Sequence, residues 1–241
     1  MLLNESRAFF LIYKNFIYYS DMQAVIEIKN LTWGYEKSKE NIFQWFNFQL
    51  EQGDFCFIMG KSWVWKTSLI KLLMWALKIP PETIFFEGKD LSRSSTRQIQ
   101  EYRKELGIIL QDCKLLDRKN VSQNIRYPLD IQGKLSENEI QKKLDEVLLL
   151  LQLTHKKDSE IVTLSWWEKQ RVAIARAIVH NPKFIIADEA TGNLDEETSK
   201  EVMKYLLDVH SKGITVLCIT HDQGLVDYCR SEDPRIKIVQ L

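Results

Sequence analysis

The chain is predicted to be an α/β protein with a parallel-sheet core and a helical subdomain inserted part-way along it. Apolar runs of strand length alternate with stretches of helical periodicity, which is the pattern of helices covering a sheet. The runs at 184–187 and 214–220 are apolar almost throughout, as in parallel strands buried on both faces. Residues 92–165 differ. They are charged and helix-prone, with segments such as SENEIQKKLDEVLLLLQL and no strong strand, so they are read as the insertion.

In order, strands are expected at 24–31, 43–50, 54–59, 184–187, 214–220 and 235–241. The first, AVIEIKNL, begins two residues after Met22 and alternates apolar with polar residues. Upstream lies the aromatic stretch AFFLIYKNFIYY (8–19), which Lys14 interrupts. It falls short of the roughly 18 to 20 apolar residues of a membrane span and has no small-residue cleavage site. Three readings stand for residues 1–21: a surface-lying amphipathic segment, an ordered extension, or upstream sequence preceding a true start at Met22.

Composition excludes several classes. With 45% hydrophobic and 27% charged residues, the chain is neither disordered, collagen-like nor a disulfide scaffold. Its 33 basic residues balance 33 acidic ones, so no nucleic-acid partner is expected. The 241 residues suffice for one large domain, or a core with a subdomain. Cys56, Cys113, Cys218 and Cys229 form no CxxC pair and no zinc spacing, which points to a reducing setting with buried thiols. One ratio is unusual. There are nine glycines and seven tryptophans, where ordinary usage gives about 17 glycines in this length.

Two segments carry chemistry on their own residues. FCFIM is followed by Gly60-Lys61-Ser62-Trp63-Val64-Trp65-Lys66-Thr67 and then an apolar-periodic helix. This is the layout of a phosphate-binding loop, G-x-x-x-x-G-K-[ST], with Trp65 at the second glycine. In such a loop backbone N–H groups wrap phosphates, the lysine reaches the outer phosphates and the hydroxyl holds Mg²⁺. The second segment is FIIADEATGNLD, in which an apolar strand delivers Asp188 and Glu189 together at its C-terminal end. An acid near Mg²⁺ and another that polarises water are what nucleotide hydrolysis needs.

The segment LSWWEKQRVAIARAIVHNP (164–182) resembles the signature of ABC-transporter ATPases, LSGGE/Q-x-QRV-x-IARA. Ser165, Glu168, Gln170, Arg171, Ala175, Arg176 and Ala177 stand at family positions. The resemblance covers about 22–241. It implies a P-loop NTPase (RecA-like) core with antiparallel N-terminal strands and a helical subdomain at about 92–165. It also implies an ATP site built from Tyr35 as the adenine-stacking aromatic, Gly60 to Ser68, Gln111, and Ser165, Trp166 and Trp167 reaching the partner's nucleotide. Thr67, Gln111 and Asp188 would attend Mg²⁺, Glu189 would be the general base and His221 the γ-phosphate switch. Asn193-Leu194-Asp195 matches the loop after the acids. Outside these contexts His155, His180 and His210 are read as surface or packing residues.

The same resemblance implies an ATPase acting as a homodimer with an integral membrane, permease-like (FtsX-like) subunit, at the cytoplasmic face of the membrane. LGIILQD, the later YPL and ADEATGNLD are most like the family's cell-division branch, and overlap with its lipoprotein-release and macrolide-exporter branches. Ala190 replaces the usual proline, and Asp117-Arg118 is displaced by one from the cell-division pattern.

Six of the seven tryptophans, Trp45, Trp63, Trp65, Trp75, Trp166 and Trp167, fall where the family has glycine. An indole in a phosphate loop occupies space meant for phosphate, so literal tryptophans imply a catalytically dead scaffold. Decay, however, would not convert one amino acid into one other while sparing Lys66, Thr67, Gln111, Asp188, Glu189 and His221. A single cause accounts for the pattern: UGA codons read as glycine in the native organism and rendered here as tryptophan.

Overall fold

The computed structural model describes residues 24–36, 40–60, 63–192 and 194–240. Residues 1–21 and Met22, with the three readings attached to them, lie outside it.

Two sheets form the framework. The first is antiparallel, with strand order β2-β1-β4-β5: β1 is Ala24–Trp33, β2 Phe43–Glu51, β4 Ile84–Phe86 and β5 Lys89–Asp90. The second is parallel, with order β6-β7-β8-β3-β9: β3 is Phe55–Met59, β6 Leu106–Ile109, β7 Phe184–Asp188, β8 Thr215–Thr220 and β9 Lys237–Gln240. Side chains alternate across a strand, and the core divides accordingly. Phe55, Phe57, Ile185, Ala187, Val216 and Cys218 join one apolar cluster, and Cys56, Ile58, Phe184, Ile186, Leu217 and Ile219 join the other. The first cluster packs against helices α3 (Val121–Gln132), α4 (Glu137–Leu150), α5 (Trp166–Ile178), α6 (Glu196–Ser211) and α7 (Gln223–Glu232). The second packs against α1 (Trp63–Leu73), α2 (Thr96–Lys104) and the antiparallel sheet. All four cysteines are free and buried, and burial pushes the Cys113 thiol up to about 11.

The stretch 92–165, read as having no strong strand, contains β6. This four-residue strand (LGII) is the parallel partner of β7 and forms one edge of the sheet. Gly107 makes the close packing possible, because a Cβ there would lie 2.5 Å from the Ala177 carbonyl oxygen. The helices that follow carry their own start signals. α2 and α3 open on reciprocal capping boxes, Ser95 with Gln98 and Asn120 with Gln123. α3 ends at Gly133 in the left-handed conformation.

Two of the anomalous tryptophans sit in left-handed backbone. Trp45 has φ 56° and Trp75 φ 55°. Leu31 pairs with Phe46 but Trp33 with Phe43, so β2 carries an extra residue around Trp45, a bulge of the kind glycine favours. At the end of α1, the Ala76 N–H donates to Lys71 O (2.7 Å) and the Trp75 N–H to Leu72 O (2.9 Å). That is a Schellman closure with Trp75 at the position usually held by glycine.

Left-handed backbone costs a non-glycine residue about 1–2 kcal/mol. Trp45 is 73% exposed, so its ring contributes little burial to offset this cost. Trp45→Gly is therefore expected to raise stability by about 1 kcal/mol in chemical denaturation. Trp75→Gly should gain less, because that ring packs on the second cluster and its Nε1 donates to Leu91 O. Destabilisation by Trp45→Gly would mean that the bulge does not want glycine.

Candidate functional site

In open parallel sheets, ligands bind beyond the carboxyl ends of the strands. Here four adjacent strands, β6, β7, β8 and β3, end on the polar residues singled out above. β6 leads to Gln111, β7 ends on Asp188 and Glu189, β8 ends on Thr220 before His221, and β3 leads through Gly60 into α1.

Glu189 is the hub. Lys66 Nζ donates to Glu189 Oε1 at 2.5 Å, with both side chains only 4% exposed. His221 Nδ1 lies 2.8 Å from the same oxygen, and Thr220 Oγ1 lies 3.4 Å from the other. Glu189 itself has φ 44°. Its N–H donates to Ile219 O and its carbonyl accepts from Gly192 N–H, both at 2.9 Å, so neighbouring backbone holds the strained residue in place. A buried charge needs a partner, and Lys66 and Glu189 provide one for each other. Asp188 is pushed up to about 6, first by burial and then by the adjacent Glu189 charge, with Lys66 opposing. A docked cation would draw it back down.

The phosphate-loop segment departs from expectation. A loop through Thr67 was expected before the helix, but α1 already begins at Trp63, so Trp63, Val64, Trp65, Lys66 and Thr67 are helical. Glycine is the poorest ordinary helix former after proline. Tryptophan at 63 and 65 removes that penalty and lets the helix grow back into the motif. Trp65 is buried in the second apolar cluster, and Val64 is exposed. Ser68 Oγ donates to Val64 O (2.7 Å) and lies 3.3 Å from Tyr35 OH, which can donate to it, and this brings Tyr35 to the same end of α1. Trp33 meets the Tyr35 ring edge-on at 4.8 Å. Gly60 and Thr67 are half-buried. Lys61, Ser62, Asn193 and the Trp63 side chain lie outside what is described.

Gln111 closes the other side. Its Nε2 lies 3.1 Å from where a Cβ on Gly192 would stand, three residues beyond Glu189. The signature segment forms the start of α5. Ser165 is its N-cap, with reciprocal bonds to Glu168: the Ser165 N–H donates to Glu168 Oε2 (2.8 Å) and the Glu168 N–H to Ser165 Oγ (3.2 Å). Trp166 is exposed, while Trp167 stacks on Tyr205 at 6.3 Å. Unlike Trp45 and Trp75, these two tryptophans have ordinary helical backbone. Glycine there would matter for bare backbone, not for φ. No hydrogen bond or ion pair joins Ser165, Trp166 or Trp167 to Lys66, Glu189 or His221 among the described residues. The signature end of α5 is exposed. His180 Nε2 donates to Leu106 O (3.0 Å) and His210 Nδ1 to Ile214 O (3.3 Å), as packing residues do. Thr220 escaped sequence reasoning, although it closes an apolar run directly before His221.

A lysine at the head of a helix after β3, paired acids after β7 and a polar pair after β8 define a nucleotide-hydrolysing α/β ATPase. The model of the ABC transporter family matches residues 43–192, and the chain belongs to that family of ATP-hydrolysing proteins. It is 35% identical over 207 residues to the cell division ATP-binding protein FtsE of Streptococcus pneumoniae, covering 86% of this chain and 89% of that one. It is 36% identical over 203 residues to the methionine import ATP-binding protein MetN of Clostridium acetobutylicum, covering 84% of this chain but 62% of that one. Among solved structures, the dimeric ATP-binding cassette MJ0796 in a post-hydrolysis state with ADP and Pi superposes with a TM-score of 0.77. The two are 26% identical, with 90% of this chain and 94% of that one covered.

Proposed function

We propose that this chain is the FtsE-like ATPase of a cell-division complex, working as a homodimer with an FtsX-like integral membrane partner at the cytoplasmic face of the membrane. The carrying observation is the convergence of the buried Lys66–Glu189 ion pair with the more exposed His221 at the ends of adjacent parallel strands. LGIILQD, YPL and ADEATGNLD are most like the cell-division branch, and the chain covers 89% of the FtsE relative but 62% of the MetN one. No helix among the described residues is long and apolar enough to cross a membrane; in the proposed complex the partner carries the membrane-spanning part.

ATP sits at the head of α1, its base against Tyr35 and its phosphates on the backbone N–H groups of residues 60–68. Lys66 leaves Glu189 for the outer phosphates, which frees Glu189 to take a proton from the attacking water. His221 holds its position against Glu189 and the γ-phosphate. Ser165 and residues 166–167 of the second copy close the site over the nucleotide. Mg²⁺ fits the donor set: the Asp188 carboxylate, the Thr67 hydroxyl and the Gln111 carbonyl are all oxygen ligands. Among the described residues no cluster of three His, Cys, Asp or Glu side chains could hold a metal alone, which suits an ion bound through one carboxylate and substrate phosphates. Bound there, the ion supplies charge neutralisation on the transferring phosphate. Glycine at 63, 65, 166 and 167 in the native protein, through UGA recoding, belongs to this reading.

A groove of about 710 Å³ between α2, β6, α3 and α5 supports the membrane-partner assignment. Exposed Tyr127 and Ile131 give it apolar contacts; Arg103, Lys104, Lys114 and Arg176 line it too, Lys104 and Lys114 being paired with Glu101 and Asp112 just outside, which leaves Arg103 and Arg176 without a carboxylate in the lining. A cytoplasmic helix with apolar and acidic residues matches that surface. The test is co-purification of the glycine-bearing chain with the FtsX-like protein of the same genome. A stable complex that Ile131→Asp disrupts, with ATP binding intact, is expected. Pairing with a methionine permease instead would overturn the assignment.

A further inference from the structure

The turn following Gln111 contains two consecutive residues in left-handed backbone, Cys113 at φ 57° and Lys114 at φ 43°. Neither is glycine, so the conformation is intrinsically disfavoured and persists only where its surroundings impose it. Those surroundings are side chains of α5, the helix whose first turn is the signature. Arg176 Nη2 donates to Cys113 O (2.6 Å) and Nη1 to Lys114 O (2.8 Å). One turn and a half earlier, buried Gln170 accepts from the Cys113 thiol at 2.9 Å. Beyond the turn, fully buried Asn124 of α3 accepts from the Leu116 N–H (2.8 Å) and donates to Leu116 O (3.1 Å), which fixes the loop's far end.

We propose that Arg176 and Gln170 are positioning residues that tie the signature helix to Gln111 by imposing the left-handed turn at Cys113–Lys114. Gln111 stands two residues before the turn and packs against Gly192, whose N–H is bonded to the Glu189 carbonyl. A shift of α5, as when a second copy's nucleotide seats on Ser165, is thereby transmitted to Gln111 and to the segment carrying Glu189. Arg176 and Lys114 also line the groove, so its occupant presses on the same turn. The inference rests on the proposed role of Gln111 at the catalytic centre.

The experiment uses the full chain with glycine at 63, 65, 166 and 167, and compares Arg176→Lys with Gln111→Ala. Lysine keeps the charge but cannot bridge two carbonyls with a planar fork. Arg176→Lys is expected to leave ATP affinity and melting temperature near their starting values and to lower kcat by about a hundredfold, the scale of a small misplacement remote from the chemistry. Maleimide labelling of Cys113 should rise several-fold while Cys56, Cys218 and Cys229 stay protected. Adding Cys113→Gly and Lys114→Gly to Arg176→Lys should restore most of kcat, because glycine needs no clamp to adopt the turn. Unchanged kcat in Arg176→Lys beside an impaired Gln111→Ala overturns the clamp and leaves the site reading intact. A silent Gln111→Ala overturns the site reading, and unchanged Cys113 labelling in Arg176→Lys then rejects the clamp separately.

Discussion

A chain carrying glycine at 63, 65, 166 and 167 is expected to bind MgATP at least about a hundredfold more tightly than the chain with tryptophan there, equivalent to about 2.8 kcal/mol. The first N–H groups of a helix have no partner within it, and with the helix dipole they form an anion site. With tryptophan at 63 and 65 the segment is helical from Trp63 onward, and the Trp65 ring is buried in the second apolar cluster. Glycine restores both the loop and the bare approach to phosphate. Isothermal titration at matched Mg²⁺ concentration measures the difference. Equal weak binding by both chains would remove the ATPase reading, and tight binding by the tryptophan chain would remove the need for glycine.

In the glycine-bearing chain, Glu189→Gln should reduce kcat by about 10²–10⁴-fold, the usual contribution of a positioned general base, without weakening ATP binding. Glutamine keeps the size of the side chain and its contacts with Thr220 and His221, but cannot accept the water's proton. It also dissolves the buried ion pair with Lys66, so the lysine is free for phosphate before the nucleotide arrives. Single-turnover hydrolysis and nucleotide affinity, measured together, separate the two effects. A Glu189→Gln chain that hydrolyses at the starting rate would move the general base elsewhere.

Much of the candidate site was legible because its residues stand at the ends of long apolar runs. Asp188 and Glu189 after β7, and His221 after β8, were exposed by the contrast between an apolar strand and an abrupt polar end. β6 was hidden because it is four residues long, contains Gly107 and is flanked by the charged α2 and a polar turn. Its strand character comes from pairing with β7, a tertiary cause with no local signal. The Cys113–Lys114 turn was equally illegible, since nothing in Asp-Cys-Lys announces left-handed backbone that Arg176, 62 residues away, maintains. At Trp45 and Trp75, positions read as glycine from family resemblance alone, the structure independently has the φ values glycine favours. At 63, 65, 166 and 167 the backbone is helical, and there the case rests on what a phosphate needs.

Mass spectrometry of this protein isolated from its native organism reads the six tryptophan positions outright. Peptides spanning residues 45, 63, 65, 75, 166 and 167 are expected to carry glycine at every one of these positions. Tryptophan at 63, 65, 166 and 167 in the native chain would contradict the account and leave a scaffold subunit with a closed phosphate site.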